Sequence, residues 1–199
     1  GGSRGGPVGA RRGVSPPVRL RERRVRCAAR HGTYSSCMNA AGLDLLAVAA
    51  LLRALKNAPA LRGRQVGPRL RELVILHVSS VNGCPVCSAM HGAWARVVGL
   101  AGDQVEAARR CEVEPDRFDP RTALALRYAE VRTLRREVDA PRLVARFERT
   151  FSPAEQREIR AVTDLFTFNN RFNNSWERRV PGAEARRRRF GLCASNGAR

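Results

Sequence analysis

The chain has 199 residues, with 37 Lys+Arg against 18 Asp+Glu and a formal net charge of +19. That length holds one domain, or one domain with tails, and 43% apolar residues are too many for a wholly disordered chain. The best uncharged apolar run, Leu45–Leu52, is bounded by Asp44 and Arg53 and is too short to span a bilayer.

The charge is unevenly placed. Residues 1–37 carry a net +8 and residues 178–199 a net +6, which leaves +5 for the middle. Lys56 is the only lysine, and this arginine dominance with abundant Ala and Gly has the look of GC-rich coding bias. Arginine tails can bind nucleic acid without specificity. They lack interleaved aromatics and any reading motif, which disfavours nucleic-acid binding as the main role.

Residues 1–37 read as a disordered leader rich in Arg, Gly and Pro, with no apolar period and no secretory h-region. Met38 is the first methionine, so the leader is either an upstream extension or a genuine basic tail. Residues 38–177 read as a single helical domain and 178–199 as a basic tail. Leu43–Leu55 is an apolar-rich helix ending before Pro59. Gly67-Pro68 opens a second helix that runs to Asn82-Gly83. A third runs from Cys84 to about Gly99, and a short one follows Asp103. Asp119-Pro120 caps a helix with Leu124, Tyr128 and Val131 on one face. Leu143, Phe147 and Phe151 repeat along the next. Ser152-Pro153-Ala154-Glu155 fits a capping box and opens a last helix carrying Ile159, Val162 and Phe166. No strand pattern persists, so the fold class is all-α.

There are six cysteines. Cys27, Cys37 and Cys193 fall in the tails, and Cys111 is expected at a helix end, as a small buried residue or a free thiol. Cys84-Pro85-Val86-Cys87 differs, because a CxxC at a helix start puts both sulfurs within one turn. Unpaired N–H groups there stabilise a thiolate, the reactive species. His91 lies one turn beyond Cys87 on the same face and can accept its proton. A zinc site would need Cys84, Cys87, His91 and Cys111, the only core candidate for a fourth ligand. No second ligand pair follows at finger-like spacing, so no metal is expected.

Glu72 is the one acid on a helix that is apolar nearly all round, as a buried helix is. Burial suits its carboxyl to general-base work; the alternative is an acid that pairs with Arg71 or Arg69 near water. His77 shares a face with Leu70 and Leu73 and reads as a hydrogen-bonded core histidine. Trp94 reads as core or interface rather than substrate-binding.

Glu72-Leu73-Val74-Ile75-Leu76, Asn82-Gly83-Cys84-Pro85-Val86-Cys87 and His91 together resemble the carboxymuconolactone decarboxylase family, and within it the alkylhydroperoxidase D-like branch. Glu72, Cys84, Cys87 and His91 stand at that branch's spacing. The close match covers about residues 69–100, and a looser helical one extends to Phe168–Arg171. The resemblance implies a compact all-helical domain that forms homo-oligomers, trimers or hexamers. It implies a thiol-dependent peroxidase or disulfide reductase without flavin, haem or metal cofactor. It makes Cys87 the more reactive cysteine, activated by Glu72 and His91, and Cys84 its partner in a redox disulfide. A hydroperoxide would be the substrate and a dithiol, protein or lipoyl-like, the reductant, in a reducing cytoplasm. Val86 stands where the branch's best-studied type has a histidine, so a relay through that residue has no counterpart here. The alternatives are a family-fold oligomer without turnover, a lactone decarboxylase, and a basic nucleic-acid-associated module.

Overall fold

The structure, a computed structural model, describes residues 44–62, 64–177 and 181–182. The expected leader 1–37, the segment around Met38 and nearly all of the 178–199 tail lie outside the described residues. Those described are all-α: α1 (Leu45–Lys56), α2 (Pro68–Val81), α3 (Pro85–Val97), α4 (Gly102–Arg109), α5 (Pro120–Thr133), α6 (Pro141–Thr150) and α7 (Pro153–Glu177). Short 3-10 turns cover Ala58–Arg62 and Glu137–Asp139. The short fourth helix starts at Gly102, just ahead of Asp103, which becomes the acid of its first turn.

The starts follow local chemistry. The Asp44 carboxylate accepts the Leu46 and Ala47 amides at 3.0 and 3.2 Å, and that of Asp119 accepts Arg121 and Thr122 at 2.9 and 3.0 Å. Ser152 and Glu155 form the reciprocal capping box: Ser152 N–H donates to Glu155 at 2.9 Å and Glu155 N–H to Ser152 Oγ at 3.3 Å. Proline occupies the first turn of α2, α3, α5 and α6, where its missing N–H costs nothing.

α2 is the central helix, packed against α3, α4, α5 and α7. All ten residues from Glu72 to Val81 are buried, as expected of a helix without a polar stripe. α7 lies along α1, α2 and α5. Its contact with α1 uses Ala47, Ala50 and Ala54, whose small side chains let the two backbones approach. Behind α5 the Tyr128 and Phe147 rings stack at 3.7 Å, and Phe151 tilts against Phe147 at 5.0 Å.

Two buried carboxylates strut the bundle. Asp164 of α7 binds Arg53 of α1 at 3.1 Å and Arg132 of α5 at 2.7 Å. Burial works against the Arg132 charge, but Asp164 outweighs it and holds the guanidinium cationic. Glu158 accepts the Val66 amide at 3.1 Å and that of Gln65, and it pairs with Arg71 at 3.1 Å. It thereby fixes the loop leading into α2.

The structure decides between the sequence's alternatives for two side chains and corrects the reading of a third. Arg71 is committed to Glu158 and to the Leu61 carbonyl, at 2.7 Å, and Glu72 is paired elsewhere. His77 is core, at 0% exposure, yet neither ring nitrogen has a hydrogen bond, and the nearest carboxylate oxygen, of Glu130, is 3.7 Å away. Trp94 is 56% exposed, which removes the core reading and leaves the interface one. Among the described residues no helix is long and apolar enough to cross a membrane.

Candidate active site

The site is built at the junction of α2 and α3. α2 ends in a Schellman turn: Gly83 N–H donates to Ser80 O and Cys84 N–H to Ser79 O, at 3.0 and 2.9 Å. Gly83 takes φ +60°, a left-handed conformation that glycine adopts without cost. The turn delivers Cys84 directly to the N-cap of α3, where its sulfur accepts the Cys87 amide at 3.4 Å. A cysteine here does the work usually given to Ser or Asp. Both sulfurs belong to buried residues, Cys84 at 0% and Cys87 at 2% exposure, and both are thiols.

Glu72 reaches across from α2 to α3. Its Oε1 lies 2.5 Å from His91 Nδ1. Glu72 is buried and His91 partly so. The Phe166 ring of α7 meets the imidazole edge-on at 4.9 Å and 89°. With Glu72 ionised, Nδ1 carries the hydrogen and donates it, which leaves Nε2 as the proton acceptor.

The Cys87 thiol is lowered from its ordinary 9.0 to about 7. Hydrogen bonding with the Cys84 side chain lowers it most, and burial opposes this. A hydrogen bond from Asn173 and the charge of His91 lower it further. Cys87 is therefore substantially a thiolate near neutral pH, and a thiolate is what attacks peroxides and disulfides.

Glu72 and His91 meet directly, and Cys84 and Cys87 share the first turn of α3. Cys111 occupies the left-handed position just after α4, at φ +56° and half-buried. Among the described residues no three His, Cys, Asp or Glu side chains converge as a metal site requires.

Sequence reasoning missed Asn173. Its Nδ2 lies 3.2 Å from Cys87 Sγ, across 86 residues of chain. The available signal was the run Asn169-Asn170-Arg171-Phe172-Asn173-Asn174. Asn is a poor helix former, and here it recurs inside a 25-residue helix at i, i+3 and i+4.

Fold and site together define a helical domain with paired thiols at a helix N-terminus beside a Glu–His pair. Residues 44–131 match the model of the carboxymuconolactone decarboxylase family. The matched segment spans α1 to nearly the end of α5, so Phe166 and Asn173 reach the site from beyond it. No curated protein matches the chain.

Proposed function

We propose that the protein is a thiol oxidoreductase of the alkylhydroperoxidase D-like kind, which reduces hydroperoxides through a Cys84/Cys87 dithiol–disulfide cycle. The observation that carries this reading is the setting of Cys87. Its sulfur sits one turn before a His91 held by Glu72 and in the same turn as a second thiol, with its pKa brought to about 7.

The cycle balances as follows. His91 Nε2 takes the Cys87 proton, and Glu72 steadies the resulting imidazolium. The thiolate attacks the terminal oxygen of ROOH. An S–O bond forms, the O–O bond breaks, and RO⁻ takes the proton back from His91 to leave as ROH. Cys87 is now a sulfenic acid. The Cys84 sulfur attacks it, water departs and the Cys84–Cys87 disulfide forms. An external dithiol, protein or lipoyl-like, then reduces that disulfide by exchange and is itself oxidised. In this reading the proton acceptor is His91, whose charge acts on the Cys87 sulfur, so the cycle has no use for a histidine at Val86, which is exposed. A catalytic disulfide that must be re-reduced suits a reducing, cytoplasmic compartment.

Homo-oligomerisation belongs to the same reading. Val86, Met90, Trp94 and Val97 form an exposed apolar stripe along α3, and Leu45, Leu52 and Leu55 form another on α1.

Sulfenic-acid trapping tests the mechanism. Cys84→Ser should react once with peroxide and leave a trappable sulfenic acid on Cys87, and Cys87→Ser should not react. Glu72→Gln and His91→Ala should slow that turnover by about 10²-fold. Equal trapping of Cys84 in Cys87→Ser would show that the helix N-terminus suffices, and would remove the roles given to Glu72 and His91.

A further inference from the structure

The cycle above draws on residues of α2 and α3 alone, yet a group from α7 touches the reacting sulfur. Asn173 Nδ2 is 3.2 Å from Cys87 Sγ, within hydrogen-bond range for sulfur. An amide NH₂ only donates, so what it stabilises is a sulfur bearing negative charge. The donor is also held in place. Ser79 Oγ donates to Asn170 Oδ1 at 3.3 Å, Asn174 Nδ2 donates to the Asn82 carbonyl at 2.8 Å, and Arg171 binds Asp44 at 2.7 Å. Three of the neighbours of Asn173 thus tie this stretch of α7 down, two of them onto α2 and its C-cap. Asparagines so disfavoured in a helix interior are explained by this lattice of side-chain bonds, with Asn173 aimed at Cys87.

We propose that Asn173 is a catalytic residue of the thiol cycle, whose side-chain amide donates to the Cys87 sulfur, holds it as the thiolate and marks it as the attacking sulfur. This rests on the thiol-oxidoreductase reading. It adds that the site is composite: thiols, carboxylate and imidazole come from α2 and α3, and the donor to the nucleophile comes from α7. Donation fades as charge leaves sulfur for the forming S–O bond. Asn173 therefore raises the thiolate population at neutral pH and lowers the nucleophilicity of each thiolate.

That trade gives the test a signature that simple loosening of the fold would not. Full-length reduced protein is alkylated with iodoacetamide from pH 5 to 10, and the rate at Cys87 is read by peptide mass. Loss of the amide in Asn173→Ala should raise the Cys87 midpoint by about one pH unit. A thiolate of higher pKa is intrinsically more reactive, with a Brønsted slope of about 0.4–0.5. The variant should accordingly be about threefold slower than the unmutated protein below pH 7 and about threefold faster above pH 9. Asn173→Asp keeps the shape but replaces the donor with a carboxylate, and should shift the midpoint further. In the unmutated protein the Asn173 side-chain amide resonances should titrate with the Cys87 midpoint, which requires no variant to fold. Unchanged midpoints in folded variants, or amide resonances that ignore the Cys87 titration, overturn the proposal. Alkylation involves no peroxide. If the midpoints move but Cys87 is inert to hydroperoxide, the donor role stands and the oxidoreductase reading falls.

Discussion

Replacing Cys84 with Ala should make Cys87 a slower nucleophile at neutral pH, before any question of resolving a sulfenic acid arises. The Cys84 side chain contributes most to bringing the Cys87 thiol from 9.0 to about 7. A hydrogen bond to a charged group is worth roughly 1.5–3 kcal/mol. A thiol is a weak donor, so the low end applies, and at about 1.4 kcal/mol per pKa unit the midpoint should move up by about one unit. At pH 7 about half of Cys87 is thiolate in the unmutated protein, against about one part in ten in the variant. The alkylation rate at pH 7 should drop about twofold, and above pH 9 the variant should be about threefold faster, because its thiolate of higher pKa is the better nucleophile. Cys84→Ser retains a hydroxyl donor and should stay within about half a unit of the original midpoint. A Cys87 midpoint near 9 in the unmutated protein, or identical profiles for Cys84→Ala and Cys84→Ser, would refute the reasoning.

The same shift predicts a pH dependence of stability. The folded thiol ionises more readily than the unfolded one, so the ionised sulfur stabilises the fold fully above pH 9, and this contribution is lost as pH falls towards 7. The melting-temperature difference between the unmutated protein and Cys87→Ser should grow from pH 7 to pH 9, and a flat difference counts against a lowered pKa. Asp164→Ala leaves the partly buried Arg132 without its main counter-charge and should cost about 3–5 kcal/mol, a fall in melting temperature of roughly 10 °C; a fall of one or two degrees would show the strut to be dispensable. Light scattering at micromolar concentration should give an oligomer mass, and Trp94→Glu should reduce it. A monomer mass for the unmutated protein would contradict the assignment of the α1 and α3 stripes to self-association.

What could be read from the sequence was what local chemistry decides. Helix starts at Pro68, Asp119-Pro120 and Ser152–Glu155 are legible because cap and first-turn preferences act within a few residues. The CxxC and His91 are legible for the same reason, since one helical turn links them. Glu72 came through as a buried acid, but its partner depended on how α2 and α3 pack. Asn173 lay out of reach because its contact with Cys87 is made by the docking of α7, which no spacing rule predicts. His77 and Trp94 show the limit of apolar periodicity. It placed His77 inside, yet could not say that Glu130 stays 3.7 Å away. It also could not tell a core tryptophan from one on a helix face that the chain leaves uncovered.

The central claim is that Cys84 and Cys87 work as one redox pair, and peptide mapping after peroxide tests it most directly. Reduced full-length protein is treated with one equivalent of hydroperoxide, quenched by alkylation and digested. The account predicts a Cys84–Cys87 disulfide as the main product, reversed by a dithiol, with Cys111 still alkylated. Cys84 and Cys87 both recovered as alkylated thiols, or either one joined to Cys111, would contradict it.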